Sequence, residues 1–164
     1  MTNQMPKASP TILSKKLFIL TIGGGMVFWA TTIATSLLPI AAEYRAAYSD
    51  WSIQTVWVAS LPMGMIIGYC VSYFLLRYFD KIPSKNPILK SGILSFIALI
   101  IAIILIDVPQ SFFGMSNSSA ALYYFLIGVM FNGARFLLLG IVIGSLYLWN
   151  VKAFAQEIKE KAGG

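Results

Sequence analysis

The chain has 164 residues, 58% of them hydrophobic and 11% charged, with 12 Lys and Arg, 6 Asp and Glu and no histidine. A soluble domain this short cannot hide so much apolar surface, because small folds keep a large surface-to-volume ratio, so most of the chain must be solvated by lipid. The formal charge of +6 lies beside apolar runs, where anionic lipid headgroups account for it and nucleic-acid binding is not expected.

Residues 1–16 read as a cytoplasmic tail, polar at the start and carrying Pro6 and Pro10. The first apolar run extends from about Leu17 to Ala42. It is too long for a signal-peptide core and no small-residue cleavage site follows it, so it is expected to stay as a span. Within it, Gly23, Gly24 and Gly25 weaken a helix by roughly 1 kcal/mol each relative to alanine. They suit either a close helix crossing or a hinge. The connection Glu43 to Ser52 follows; Ser52 can cap the next helix, and Trp51 and Trp57 suit the membrane interface.

The second span runs from Ile53 to Phe79 and holds the single cysteine, Cys70, so no internal disulfide can form. Its "GMIIG" places Gly64 and Gly68 on one helix face. Glycines at that spacing allow close backbone approach where lipid supplies no hydrophobic drive for helices to associate. The connection "DKIPSKNP" has two prolines that break the helices. The third span, Ile88 to Ile106, reads as aliphatic on every face, a lipid-facing scaffold. A short polar connection, Asp107 to Ser119, contains the sequon Asn117-Ser118-Ser119, which reads more simply as a polar turn. The fourth span, Ala121 to Trp149, carries a second such pair in "GIVIG", Gly140 and Gly144, a faint echo of the second span. Residues 150–164 should extend that helix into the cytoplasm, with Glu157 and Lys161 one turn apart.

Four runs each reach the roughly 20 residues needed to cross a bilayer, and backbone groups have no partners in lipid, so each must be a helix. Residues 17–149 are therefore an all-α, integral membrane four-helix bundle. Lys7, Lys15, Lys16, Arg77, Lys81, Lys85, Lys90, Lys152, Lys159 and Lys161 fall on one side, and Arg45 alone on the other. That asymmetry predicts that both termini face the cytoplasm, and the expected location is the cytoplasmic (inner) cell membrane, as a multi-pass protein.

Arg135 needs explaining. It lies about 14 residues, or roughly 21 Å, from either end of its span, where a charge costs between about 3 and 10 kcal/mol. The carboxylates Glu43 and Asp107 are expected at the outer boundary, about 15 Å away and beyond its reach. Thr31 and Thr32 lie at its level, Thr35 and Ser36 one turn higher, and Asn132 one turn away on its own helix. Pro39 cannot bond the Thr35 carbonyl, leaving an acceptor, and Trp29 offers a π-face. Three readings stay open: a structural arginine bonded to hydroxyls, a functional one facing a watery cavity, or one paired with an acid from another subunit. All three keep it away from lipid.

Without histidine there is no His-based triad, HExxH zinc site or histidine relay. The carboxylates are scattered, so no catalysis, metal or cofactor is expected.

In order, "LRYFDKIPSKNPILKSG" after the second span and "ARFLLLGIVIG" in the fourth resemble the opening of a major facilitator superfamily transporter. The resemblance implies that Asp80 and Lys81 form an inner-loop latch and that Arg135 takes part in coupling. The family has about twelve spans, so four would need partners to enclose a path. The expected function is movement of a small polar or anionic solute, as an oligomer or with other membrane subunits, with Arg135, Asn132, Thr31 and Thr32 lining the interior. The competing expectation is a non-transporting assembly, scaffold or regulatory subunit that packs through its glycine faces.

Overall fold

A computed structural model of the chain describes residues 10–48, 51–114 and 118–163. All the regular structure among them is helical: α1 (Pro10–Ser36), α2 (Pro39–Tyr48), α3 (Ile53–Tyr78), α4 (Pro87–Ala102), α5 (Val108–Gly114) and α6 (Ser118–Gly163). A 3₁₀ turn follows α3 at Phe79–Lys81, and a π-helical turn, Ile103–Asp107, joins α4 to α5. Among the described residues, four helices are long and apolar enough to cross a membrane.

The surface is compatible with lipid contact. Val58 is 74% exposed, Leu105 69% and Phe18 65%, while Thr32, Ser72, Ser91, Ser95 and Asp107 are buried. Apolar side chains outside and polar ones inside is the arrangement expected of a chain solvated by acyl tails.

Small residues set the helix spacing. α1 packs on α3, α4 packs on α6, and the two pairs meet along α1 and α6. At the first crossing, a Cβ on Gly68 would lie 3.0 Å from the Gly25 nitrogen and from the Thr21 carbonyl; one on Gly64 would lie 2.9 Å from the Gly25 carbonyl. Gly24 faces the other way, toward Ile143 of α6, so α1 is approached from two sides at its glycines. Helix α1 runs unbroken through all three. At the second crossing, a Cβ on Gly140 would lie 2.8 Å from Ser95 Oγ, and one on Gly144 would meet Ser91 Oγ and the Ile88 backbone. The gap is used: Ser91 Oγ reaches the Gly140 carbonyl at 2.6 Å. Both glycine pairs are thus occupied within the chain. Around them Leu20, Phe28, Val71, Leu75, Phe136, Leu139 and Ile143 close the core.

Several expectations are corrected. The first run is two helices: Pro39 breaks α1 from α2, with Leu37 and Leu38 between them. Residues 43–48, expected as connection, belong to α2. The segment from Asp107 to Gly114, expected as polar loop, continues the helical path of α4 through the π turn. The third span is not aliphatic all round, since Lys90, Ser91 and Ser95 are buried and Asp107 ends it inside the protein. Helix α1 begins at Pro10, inside the segment expected to be a tail. Ser52 does cap α3, its hydroxyl accepting from the Thr55 N–H at 3.2 Å. Asn117 and the side chains of Glu157 and Lys161 lie outside what is described.

The connection between α3 and α4 is tied from within. Lys90, 4% exposed, donates its ammonium to the Phe79 carbonyl and lies 3.7 Å from the centre of the Phe79 ring, which stacks on Tyr147 at 4.8 Å. Asn86 caps α4 by accepting from the Ile88 N–H at 2.9 Å. Asp80 and Lys81 are exposed beside this knot, with the Lys81 ammonium 5.4 Å from the Tyr78 ring centre.

The crossings yield a stability test. Gly68→Val would force backbone apart from backbone and should lower stability by about 1–3 kcal/mol. A Cβ on Gly92 meets nothing within 4 Å, so Gly92→Ala should stay within about 1 kcal/mol of the parent. Thermal unfolding of both variants in detergent provides the comparison.

Candidate functional site

The site is built around Arg135 on α6, and its partners come from three helices. Its Nη1 donates to Asn132 Oδ1 at 3.1 Å, one turn back on α6. The Asn132 amide nitrogen in turn donates to both carboxylate oxygens of Asp107, at 3.1 and 3.0 Å. Arg135 Nη2 donates to Thr35 Oγ1 of α1 at 3.5 Å, the limit of a hydrogen bond, and Nε has no acceptor although it is buried. The Phe28 ring lies 6.0 Å from the guanidinium carbon, at the outer edge of a cation–π contact.

The carboxylate thought out of reach is therefore in the chain of contacts, through an asparagine. Two features bring it there. The helix carries on past Ile106, so Asp107 is held on a helical face. Side chains on a helix also lean toward its N-terminus. α4 and α6 are antiparallel, with Ser95 opposite Gly140. From that point Asp107 lies about 18 Å up one helix and Asn132 about 12 Å along the other. Asp107 leans back into the span, Asn132 leans toward it, and the offset closes. Asp107 ends 3% exposed.

The other sequence-named partners behave differently. Thr31 and Thr32 are buried, and their hydroxyls donate to the carbonyls of Val27 and Phe28, at 2.7 and 2.9 Å. Thr32 lines the cavity described below, but the α1 hydroxyl that accepts from Arg135 is that of Thr35. The Thr35 carbonyl is not left over by Pro39, because the Leu38 N–H donates to it at 3.2 Å. Trp29 is turned away from Arg135, its indole donating to the Trp57 carbonyl at 2.9 Å; the Trp57 indole donates to Ser36 Oγ at 2.7 Å. These two bonds pin α1 to α3. The hydroxyls of Thr32, Thr35 and Ser36 all donate to carbonyls of their own helix. Their oxygens are therefore presented mainly as acceptors.

Above Arg135 lies a cavity of about 410 Å³, bounded by α1, α2, α3, α6 and the end of α4. Arg135, Asn132 and Asp107 stand along one wall, with Thr32, Thr35 and Ser36 on another. Most of the rest is apolar, including Phe28, Phe131, Phe136, Met63 and Ile106. Helix α2 roofs part of it: Tyr44 passes over Gly128 and meets the Phe131 ring edge-on at 6.0 Å, and Ala41 packs with Ile127 and Phe131. Arg45, on the same short helix, is a second positive lining residue, and Trp51 also lines the space. Reading the sequence missed Asp107, Arg45 and Tyr44. The signal for α2 was a helix-compatible "PIAAEYRAAY" after a proline, since proline is well suited to a first helical turn.

No family model, curated protein or solved structure matches the chain. Among the described residues, no group of three or more His, Cys, Asp or Glu side chains is placed to hold a metal ion.

Asn132 is the hinge of this arrangement, because it satisfies a cation and an anion that do not touch. Asn132→Leu removes a hydrogen bond from each, and hydrogen bonds to charged groups contribute about 1.5–3 kcal/mol apiece. It should destabilise the protein by at least about 2 kcal/mol. Ser145→Leu, at an exposed hydroxyl bonded only within its own helix, should have little effect. Denaturation midpoints in matched detergent compare the two.

Proposed function

We propose that this protein takes part in moving a small polar or anionic solute across the cytoplasmic membrane, with both termini in the cytoplasm, as an oligomer or as one subunit of a larger carrier. The observation that carries this reading is the cavity of about 410 Å³ walled by Arg135, Asn132 and Asp107 inside four helices long enough to cross a membrane. A purely structural arginine in lipid would be expected to have all its donors met by protein. Arg135 keeps one buried donor without an acceptor and another at the limit of bonding, on a residue that lines the cavity.

The charge is also placed as a gate needs it. Asn132 joins Arg135 to Asp107, and these side chains come from different elements, α6 and the π turn that follows α4. A solute that competes for Arg135 would loosen that link, giving a two-state element that binding can bias. Catalysis is not part of the proposal. The second reading, a non-transporting assembly or regulatory subunit, is favoured by a different face. Tyr69, Tyr73, Phe74 and Tyr78 are exposed along α3 in mutual ring contact, with Tyr69 stacked on Tyr73 at 6.1 Å.

Arg135→Gln separates the two. If the protein transports, the variant should fold and assemble as the parent does yet lose at least about tenfold in uptake into proteoliposomes, tested across labelled acetate, benzoate, phosphate and glycine. Unchanged uptake together with lost assembly, read by intact mass in detergent, would leave the scaffold reading. Topology is checked separately. With Cys70→Ser removing the native thiol, a Ser84→Cys protein should react with an impermeant maleimide only from the cytoplasmic side, and labelling from outside would reverse the assigned orientation.

A further inference from the structure

We infer that the cavity beside Arg135 takes a monoanionic carboxylate carrying an apolar body, such as an aryl- or alkyl-carboxylic acid, and not an inorganic anion, a sugar or a cation. This rests on the cavity being a solute site and adds the class of solute.

Charge gives the sign and the valence. Among the described residues lining the cavity, the charged ones are Arg45, Arg135 and Asp107. One positive charge is left over, which a single negative charge neutralises. The charges are not equally accessible. Asp107 is buried at 3% exposure, with both oxygens facing the Asn132 amide, whereas Arg45 and Arg135 are each partly exposed. A ligand entering the space therefore meets cations first, and the one acid is covered.

Geometry gives the headgroup. Nη1 of Arg135 is engaged by Asn132, but the opposite edge of the guanidinium is not held: Nε has no acceptor and Nη2 has only Thr35 at 3.5 Å. Two parallel N–H donors on that edge match the two oxygens of a carboxylate. Nε is shielded from solvent, so full engagement requires the guanidinium to turn further toward the cavity. The hydroxyls on the α1 wall present mainly acceptors, so they add nothing for an anion and leave its recognition to the arginines.

The remaining wall gives the body. Phe131, Phe136, Met63 and Ile106 leave few polar groups away from the arginine. The α1 hydroxyls can accept from one edge of a polyhydroxylated solute, but its hydroxyls that lie against this apolar wall would go unmet, and each unmet buried group is unfavourable. An apolar body of the size of an aromatic ring or short alkyl chain gains by leaving water, and the lining resembles that of ordinary small-molecule pockets.

The test uses the full chain in phosphatidylcholine nanodiscs, with titration calorimetry against empty discs. The probes are phenylacetate, its neutral analogue phenylacetamide, formate, phenethylamine and dodecanoate. Phenylacetate is expected to bind at least about tenfold tighter than phenylacetamide, formate and phenethylamine, which isolates charge, body and sign on the unaltered protein. Dodecanoate distinguishes a bilayer source of the acid from an aqueous one: tighter binding than phenylacetate assigns a membrane fatty acid, weaker binding a soluble acid, and either keeps the class. Arg135→Gln should weaken phenylacetate at least about tenfold, and Arg135→Lys, which keeps the charge but loses the paired donors, should recover only part of that loss.

Equal binding of phenylacetamide, equal binding of formate, or undiminished binding by Arg135→Gln would each overturn the assignment. Phenylacetate binding without uptake in proteoliposomes would sink transport by an oligomer of this chain alone and leave the ligand class standing. Uptake of another solute that phenylacetate does not compete with would do the reverse.

Discussion

A guanidinium cannot be left among acyl chains, and that constraint organises the middle of this protein. Arg135 sits well inside a span that runs from Ala120 to Val151, too deep for its side chain to reach headgroups at either end. The protein therefore has to bring polarity to it. Asn132 supplies an acceptor from the next turn of the same helix, Thr35 another from α1, and Asp107 a counter-charge one step removed. Each helix that touches the site must hold its register for this to work.

Register in turn depends on close packing. Between helices in lipid there is no water to expel, so contact depends on shape. The glycines at 64 and 68 let α3 rest against the backbone of α1, and those at 140 and 144 let α4 rest against α6. Beyond the glycines the cavity is lined by residues of α1, α2, α3 and α6. Packing and cavity are two ends of one arrangement, joined by α1 and α6.

The tryptophan bonds belong to this account. The Trp29 and Trp57 indoles each find an acceptor on the opposite helix, so the end of the α1–α3 pair that has few glycines is fixed by hydrogen bonds instead. At the far end, Lys90 does similar work on the Phe79 carbonyl. Polar side chains thus hold the helices where small residues do not, which fits a solvent that offers polar groups no competition.

What the sequence alone determined was the solvent and the four long helices. A chain with 58% hydrophobic residues and four long apolar runs has nowhere but a membrane to be, and its backbone no option but to bond to itself. The depth of Arg135 and its nearness to Asn132 followed as well, because both lie on one helix and helical rise is constant. The contacts between helices did not follow. Asp107 looked like a loop residue because an apolar run ended just before it, and nothing local says that a π turn carries the helix on. Its meeting with Asn132 depends on the stagger of two antiparallel helices and on the opposed lean of their side chains. The choice of Thr35 over Thr31 and Thr32 depends on the rotation of α1 about its axis, which its glycines and their neighbours decide. Rise along a helix is a local quantity and can be read from a string of residues. Stagger, rotation and the cavity left between helices are relations between segments far apart in the chain, and only their packing sets them.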